Sequence, residues 1–296
     1  MQTWIPEETD RILSRDALDA MIAGPGFDQA LRGCVECWLP QSGDTRMIEV
    51  TMRDLGRMVS GNWSLYLDSS PGGLTLSRLS KLLDGTWLSS PGRARALLLY
   101  LRFVGYVEPA FGQESDARER RFRVTPQLKK AFRERYRRDL NAFRDTSPAI
   151  AEMAQRLDDD DVFRCLTWAH GAFLAALFKA YKPTTVSLDI FSSRYSGMMV
   201  LARMLLSGEP DDSFPPRRPI PYTLAGLARE TGISRAQVRR MLREAELAGF
   251  MTPMNEGLML LTPLLAEHVK LLVAGGGRIL AVKLFANMAN TTLLWR

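Results

Sequence analysis

Residues 223–253 read TLAGLARETGISRAQVRRMLREAELAGFMTP, and the order of caps, turns and apolar positions in this stretch decides the fold. Thr223 is placed to cap a short helix over residues 224–230, with Leu224, Leu227 and Ala228 on one face. Thr231-Gly232 supplies a turn, because glycine enters the left-handed region without steric cost. Ser234 caps a second helix, and Gln237 three residues on completes a capping box. Along that helix Val238, Leu242 and Ala245 form one stripe with Met241 beside it, whereas Arg235, Arg239, Arg240 and Arg243 lie largely off it. Gly249 ends the helix as its C′ residue. Residues 250–254 and 258–261 then read as a hairpin about Asn255-Glu256-Gly257, and Thr262 caps a further helix with Pro263 at its first position.

The same order occurs earlier in the chain. Residues 75–109, TLSRLSKLLDGTWLSSPGRARALLLYLRFVGYVEP, align with 223–253 once the residues around Gly85 to Leu88 loop out. Thr75 then matches Thr223, Leu79 matches Leu227, Ser90 matches Ser234, Arg95 matches Arg239, Gly105 matches Gly249 and Pro109 matches Pro253. Each segment leads to a Thr-Pro pair, Thr125-Pro126 and Thr262-Pro263, and a helical pattern. Weaker echoes lie upstream, Ser60-Gly61 against Ser196-Gly197 and Phe27 against Phe163. An internal repeat of this kind divides the chain into residues 1–146 and 147–296. The first copy departs from the second in a longer turn at Asp84 to Ser89, which holds Trp87. It departs again at Pro91 after the capping Ser90, and in a longer wing loop near Gly112 to Arg120. Residues 207–221, SGEPDDSFPPRRPIP, read as an irregular loop.

Helix, tight turn, arginine-rich helix, hairpin and helix together make a winged helix-turn-helix. The spacing of Ala228, Gly232 and Val238, A-x3-G-x5-V, resembles the general helix-turn-helix signature. In the run SRAQVRRMLREAELAGFM and the hairpin after it, the second copy is similar to the bacterial MarR family of regulators. That resemblance implies a pair of recognition helices presented to successive major grooves of double-stranded DNA, with flanking helices as the scaffold. MarR-like proteins pair two chains; here one chain carries both modules, which makes it a monomer acting as a pseudo-dimer, or a homodimer. The scaffold is expected from residues 47–67, 149–181, 189–206 and 278–292. The expected fold class is therefore mainly α with small β-hairpin wings, a tandem winged helix-turn-helix on a helical scaffold with a pseudo-two-fold.

Charge points to the same partner. Over 296 residues, 39 Lys and Arg face 33 Asp and Glu, a net charge of +6 that permits a polyanion without proving one. Between Arg118 and Arg138 ten basic residues face only Glu119 and Glu134, so this window alone exceeds the net charge of the whole chain. Arg118, Arg120, Arg121 and Arg123 on a wing suit phosphates or a narrow minor groove. KKAFRERYRR at 129–138 reads equally well as a solvated helix face. The expected DNA contacts are Ser90, Arg93 and Arg95 with those wing arginines in the first copy, and Ser234, Arg235, Gln237, Arg239, Arg240 and Arg243 in the second. Arg235, Gln237 and Arg239 are the expected base readers, because arginine pairs bidentately with guanine and glutamine with adenine. The first copy offers Pro91, Arg93, Arg95 and Ala96 at the aligned positions, so the two half-sites should differ. Modules of this kind sit about 34 Å apart, one turn of DNA.

Other chemistry has little to stand on. Cys34 and Cys37 form a lone CxxC in an apolar setting, and three cysteines with two histidines leave little scope for a zinc site. Cys165 and His170 share an apolar helix without an orienting carboxylate. Asp158 to Asp161 suits a helix N-terminus, and Gly275-Gly276-Gly277 lacks the context of a phosphate loop and reads as a hinge. No enzyme, cofactor or metal is expected. The polar start MQTWIPEETDRIL is unlike a signal peptide, and residues 165–181 are too short and too interrupted for a membrane span, which points to the cytoplasm. Trp63, Tyr66, Trp168, Phe173, Phe178, Tyr195, Met198, Met199 and Met204 read as core, or as a pocket for a small apolar effector. The expected function is sequence-specific transcriptional regulation. Two alternatives stay open: a plasmid-type replication initiator binding iterated repeats, and a winged-helix protein-interaction or chromosome-associated structural protein.

Overall fold

The computed structural model describes residues 13–40, 55–84, 92–110, 120–180 and 188–294, with positions 11, 53 and 86. The first half runs α1 (Arg15–Ile22), α2 (Phe27–Glu36), α3 (Leu55–Asp68), β1 (Leu74–Thr75), α4 (Leu76–Leu83), α5 (Arg93–Phe103), β2 (Val107–Pro109), β3 (Arg121–Val124) and α6 (Pro126–Phe143). A 3-10 turn at Arg144–Thr146 leads into α7 (Pro148–Arg156), α8 (Asp160–Ala180), α9 (Asp189–Ser192), α10 (Gly197–Leu205) and β4 (Ile220–Pro221). The second half ends with α11 (Leu224–Thr231), α12 (Arg235–Leu247), β5 (Met251–Pro253), β6 (Leu258–Leu261) and α13 (Pro263–Leu294). The chain is thus mainly helical with two small three-stranded antiparallel sheets. Among the described residues no helix is long and apolar enough to cross a membrane.

From α3 and from α10 onward the halves follow one order: helix, strand, two helices, two strands, helix. The sheets are ordered β1-β3-β2 and β4-β6-β5. Their registers correspond: Phe122 lies opposite Leu74 and Pro109, and Met259 lies opposite Ile220 and Pro253. Each unit is closed by the same bond, the Thr125 hydroxyl donating to Gly105 O at 2.7 Å and the Thr262 hydroxyl to Gly249 O at 2.7 Å. Tyr106 and Phe250 follow those glycines and are both fully buried. The expected hairpins are therefore sheets of three strands, because Leu74-Thr75 and Ile220-Pro221 each pair with the outgoing strand. The segment read as a loop to Pro221 ends as β4, and Asn255–Gly257 forms a 3-10 turn.

The scaffold also differs from expectation in its joints. Residues 149–181 are split into α7 and α8, residues 189–206 into α9 and α10, and the described part of 47–67 is helical from Leu55. Gly275 to Gly277 are no hinge: they lie inside the continuous α13. Gly277 serves close approach, since a Cβ there would meet Met21 Cε at 2.5 Å and Phe143 Cε1 at 2.6 Å. Helix α13 packs against α8 and α1, as α6 packs against α2 and α7. Arg15 of α1 pairs with Glu267 of α13 at 2.9 Å.

The central contact is α3 on α8. Trp63 is fully buried, and its indole donates to Gly171 O at 3.1 Å. A Cβ on Gly171 would lie 2.4 Å from Tyr66 Cβ, so the crossing needs glycine there. Asn62 Nδ2 donates to the Tyr136 hydroxyl at 2.6 Å, and that hydroxyl lies 2.7 Å from His170 Nδ1, tying α3, α6 and α8 together. Burial pushes the Tyr136 phenol well above its ordinary range, so it stays a neutral donor. Of the aromatic and methionine stripe, Trp63, Phe173, Phe178, Met199 and Met204 are core, and the Tyr66 and Trp168 rings pack at a tilt, 6.0 Å between centroids.

Two glycine substitutions separate these roles. A Cβ on Gly276 meets nothing within 4 Å, so Gly276→Ala in a continuous helix should stabilise by about 0.5–1 kcal/mol. Gly171→Ala should cost about 1–3 kcal/mol, because Tyr66 Cβ cannot swing aside. Urea unfolding measures both; a hinge at residues 275–277 would make Gly276→Ala neutral or destabilising.

Candidate nucleic-acid interface

The second unit presents its cations as the heptad geometry requires. Val238, Met241, Leu242 and Ala245 are buried and hold α12 on the core, which turns Arg235, Arg239, Arg240 and Arg243 to solvent. Arg240 and Arg243 flank the middle of the exposed arc, with Arg239 one turn before Arg243 and nearer its edge. None of the described ion pairs involves these four arginines or the exposed Arg229 at the end of α11, which sequence reading had passed over. The turn before α12 is made by Gly232 at φ 69°, with its N–H donating to Ala228 O at 3.0 Å. Ser234 Oγ accepts from Gln237 N at 3.2 Å, and Gln237 Oε1 accepts from Ser234 N at 3.0 Å.

That capping box engages the amide of Gln237, an expected base reader, in the unbound chain. Its amide oxygen also accepts from the Ser234 hydroxyl at 3.1 Å, so bidentate pairing with adenine would first have to break the cap. Ser234 is likewise occupied as cap.

The first unit is built differently at its tip. Ser90, with Trp87 and Pro91, lies outside the described residues. The expected cap and first turn there do not describe α5, which begins at Arg93 with Gly92 at φ 78° as its N-cap. Arg95 is exposed and Arg93 half-buried. Where α12 carries Arg243 and Leu247, α5 carries Leu99 and Phe103, 53% and 79% exposed. The outer face of α5 therefore mixes Ala96, Leu99 and Phe103 with the exposed Arg95 and Arg102.

The basic window is mostly spent inside the molecule. Arg118 lies outside the described residues, and Arg120 is exposed. Arg121 stands opposite Thr75 in the sheet with interactions of its own, and Arg123 pairs across the strands with Glu108 at 2.7 Å. On α6, Arg133 reaches Asp160 at 2.5 Å, Arg137 reaches Asp158 at 2.8 Å, and Arg135 pairs with Asp139 at 2.9 Å. Arg133 also stacks on Phe163, 4.6 Å from the ring centroid. The Asp158 carboxyl is held below the usual carboxylate range by its hydrogen bond from Arg137. KKAFRERYRR is thus divided: Arg133 and Arg137 tie α6 to the start of α8, Arg135 pairs within α6, and Lys129 and Lys130 stay exposed. Two opposed charge runs of similar size, at 129–138 and 158–161, were the available signal. Asp160 and Asp161 also occupy the first turn of α8, as expected.

The CxxC is chemically quiet. Burial pushes the Cys37 thiol up to about 11 and the Cys34 thiol further the same way, which leaves almost no thiolate near neutrality.

Compared with family models, curated proteins and solved structures, the chain matches none.

Because the cap holds the tip of α12, Ser234→Ala should cost about 1 kcal/mol of stability. Gln237→Ala should cost less, since Ser234 still accepts from the backbone. Thermal melts of the two variants rank them; the reverse order would contradict the geometry of the box.

Proposed function

We propose that this chain is a sequence-specific DNA-binding regulator of the tandem winged helix-turn-helix type, with α12 as its principal reading helix. The single observation that carries the reading is the exposed arginine face of α12, outside the described ion pairs, in contrast to the basic helix α6, whose arginines largely pair with aspartates. The matching sheet orders and registers support an internal duplication, and the paired contacts of α6 with α7 and α13 with α1 support a pseudo-two-fold. The likeness of residues 234–251 to MarR-like regulators points the same way.

On this reading arginine supplies the base contacts, so guanines should mark the half-site of the second unit, at about 1–3 kcal/mol each. Phosphate contacts come from Arg120 and from the edge of the α12 face. The unlike outer faces of α5 and α12 make the two half-sites unequal. A second reading applies to the first unit alone: exposed Leu99 and Phe103 favour a protein-binding role for α5.

Selection of duplexes from a random library at near-physiological salt tests the proposal, and a recurrent motif is expected. Arg239→Ala should weaken binding to the selected duplex about tenfold or more, with a smaller loss on random DNA. Arg120→Ala should weaken both alike and lower the salt slope by about one. Equal losses on both duplexes for Arg239→Ala would remove base reading from α12.

A further inference from the structure

Helices α5 and α12 hold equivalent places in the two units, and each is tied down at the same position. Tyr100 lies five residues before Gly105, and Glu244 five residues before Gly249. The Arg57 guanidinium of α3 sits 4.3 Å from the Tyr100 ring centroid and 5.8 Å from that of Tyr195. The neighbour of Tyr195, Arg194, makes an ion pair with Glu244. A continuous chain of contacts therefore runs from α5 through Arg57, Tyr195 and Arg194 to α12.

The middle of this chain has one backbone solution. Ser196 takes φ 58°, the only non-glycine with positive φ among the described residues, and its N–H donates to Arg53 O at 2.9 Å. A Cβ on Gly197 would lie 2.0 Å from Phe191 O, so that position accepts glycine alone. Arg53 also lies against the turn of the second unit, its Nη1 3.0 Å from where a Cβ on Gly232 would be. Residues held in a sparsely populated conformation persist where their surroundings fix them from several sides, and they mark joints with a task.

We infer that Arg57, Arg194 and Tyr195 are positioning residues that set the separation of α5 and α12, so that the protein accepts its two half-sites at one spacing. The inference rests on the DNA-binding reading above, and takes it further by naming what fixes the architecture of the site. None of the three residues needs to touch a base. Arg57 contributes a flat cation that stacks on aromatic rings on both sides, which lysine cannot reproduce. Arg194 and Glu244 are part-buried, which protects their pair from screening by salt. Each added base pair moves a half-site by about 3.4 Å and turns it by about a tenth of a helical turn, so a rigid strap punishes small changes.

The test uses the full chain and the duplex that the wild-type protein selects, with its two half-sites at the selected spacing and at one or two base pairs more or less. Wild-type affinity should fall about tenfold or more at a change of two base pairs, because the second helix no longer meets its groove. Arg57→Met and Arg194→Met should keep wild-type affinity for a single half-site while flattening the spacing profile to within about threefold. Arg57→Lys should fall between. Single-half-site affinity serves as the check that each variant is folded, and Tyr195→Leu replaces any variant that fails it. A wild-type spacing profile in folded variants would overturn the inference and leave the DNA-binding reading intact. A wild-type motif with only one half-site would do the same. No selected motif at all would overturn both.

Discussion

At Gly171 helices α3 and α8 cross with room for only a hydrogen atom, and much of the molecule hangs on that crossing. Tyr66 fills the space a side chain would need, and Trp63 uses the exposed carbonyl of Gly171 as its acceptor. Helix α3 opens the first strand–helix–helix unit, whereas α8 packs on α13, which closes the second. The buried Asn62 and Tyr136, with the half-buried His170, add a directional bond set at the same place, where loss of one partner would leave the others unsatisfied. Apolar packing alone tolerates sliding; a hydrogen-bonded crossing with no space for a methyl group does not.

Charge in this protein is divided by what it neutralises. The arginines of α6 meet aspartates at the α7–α8 joint, and Arg15 meets Glu267 at the other end of the scaffold. These contacts are partly or wholly exposed, so each contributes little on its own; their consequence is that a polyanion finds fewer free cations there. On α12 the packing of Val238, Met241, Leu242 and Ala245 leaves the arginines no choice but solvent. The same net charge therefore yields one basic surface largely paired with aspartates and one whose arginines lie exposed outside the described ion pairs.

Much of the second unit is legible in its sequence because each cue is local. Thr223, Gly232, Ser234, Gly249 and Thr262 act on neighbours within four residues, and the structure shows each in the expected backbone role. What escapes reading is decided at long range. A two-residue strand such as β4 has no periodicity to detect, and exists because Leu258 and Met259 pair with it. Gly275 to Gly277 carry a poor helix propensity of about 1 kcal/mol each, yet lie within a continuous helix, and only Gly277 is needed there, for close approach to Met21 and Phe143. Gln237 illustrates a conflict within one residue: the spacing that makes it a cap partner also makes it look like a base reader, and in the unbound protein the cap holds its amide. The candidate site was legible as an arginine face on α12, but the neutralisation of the basic window was not, since Arg133 meets Asp160 only after α6 and α8 have packed.

The central claim is that α12 offers DNA its arginines while α6 does not. Arginine footprinting with a dicarbonyl reagent, read by mass spectrometry with and without a selected duplex, addresses it residue by residue. The account predicts that DNA protects Arg235, Arg239, Arg240 and Arg243 and leaves the reactivity of Arg133 and Arg137 unchanged. Protection centred on Arg133 and Arg137, with the α12 arginines still reactive, would contradict it.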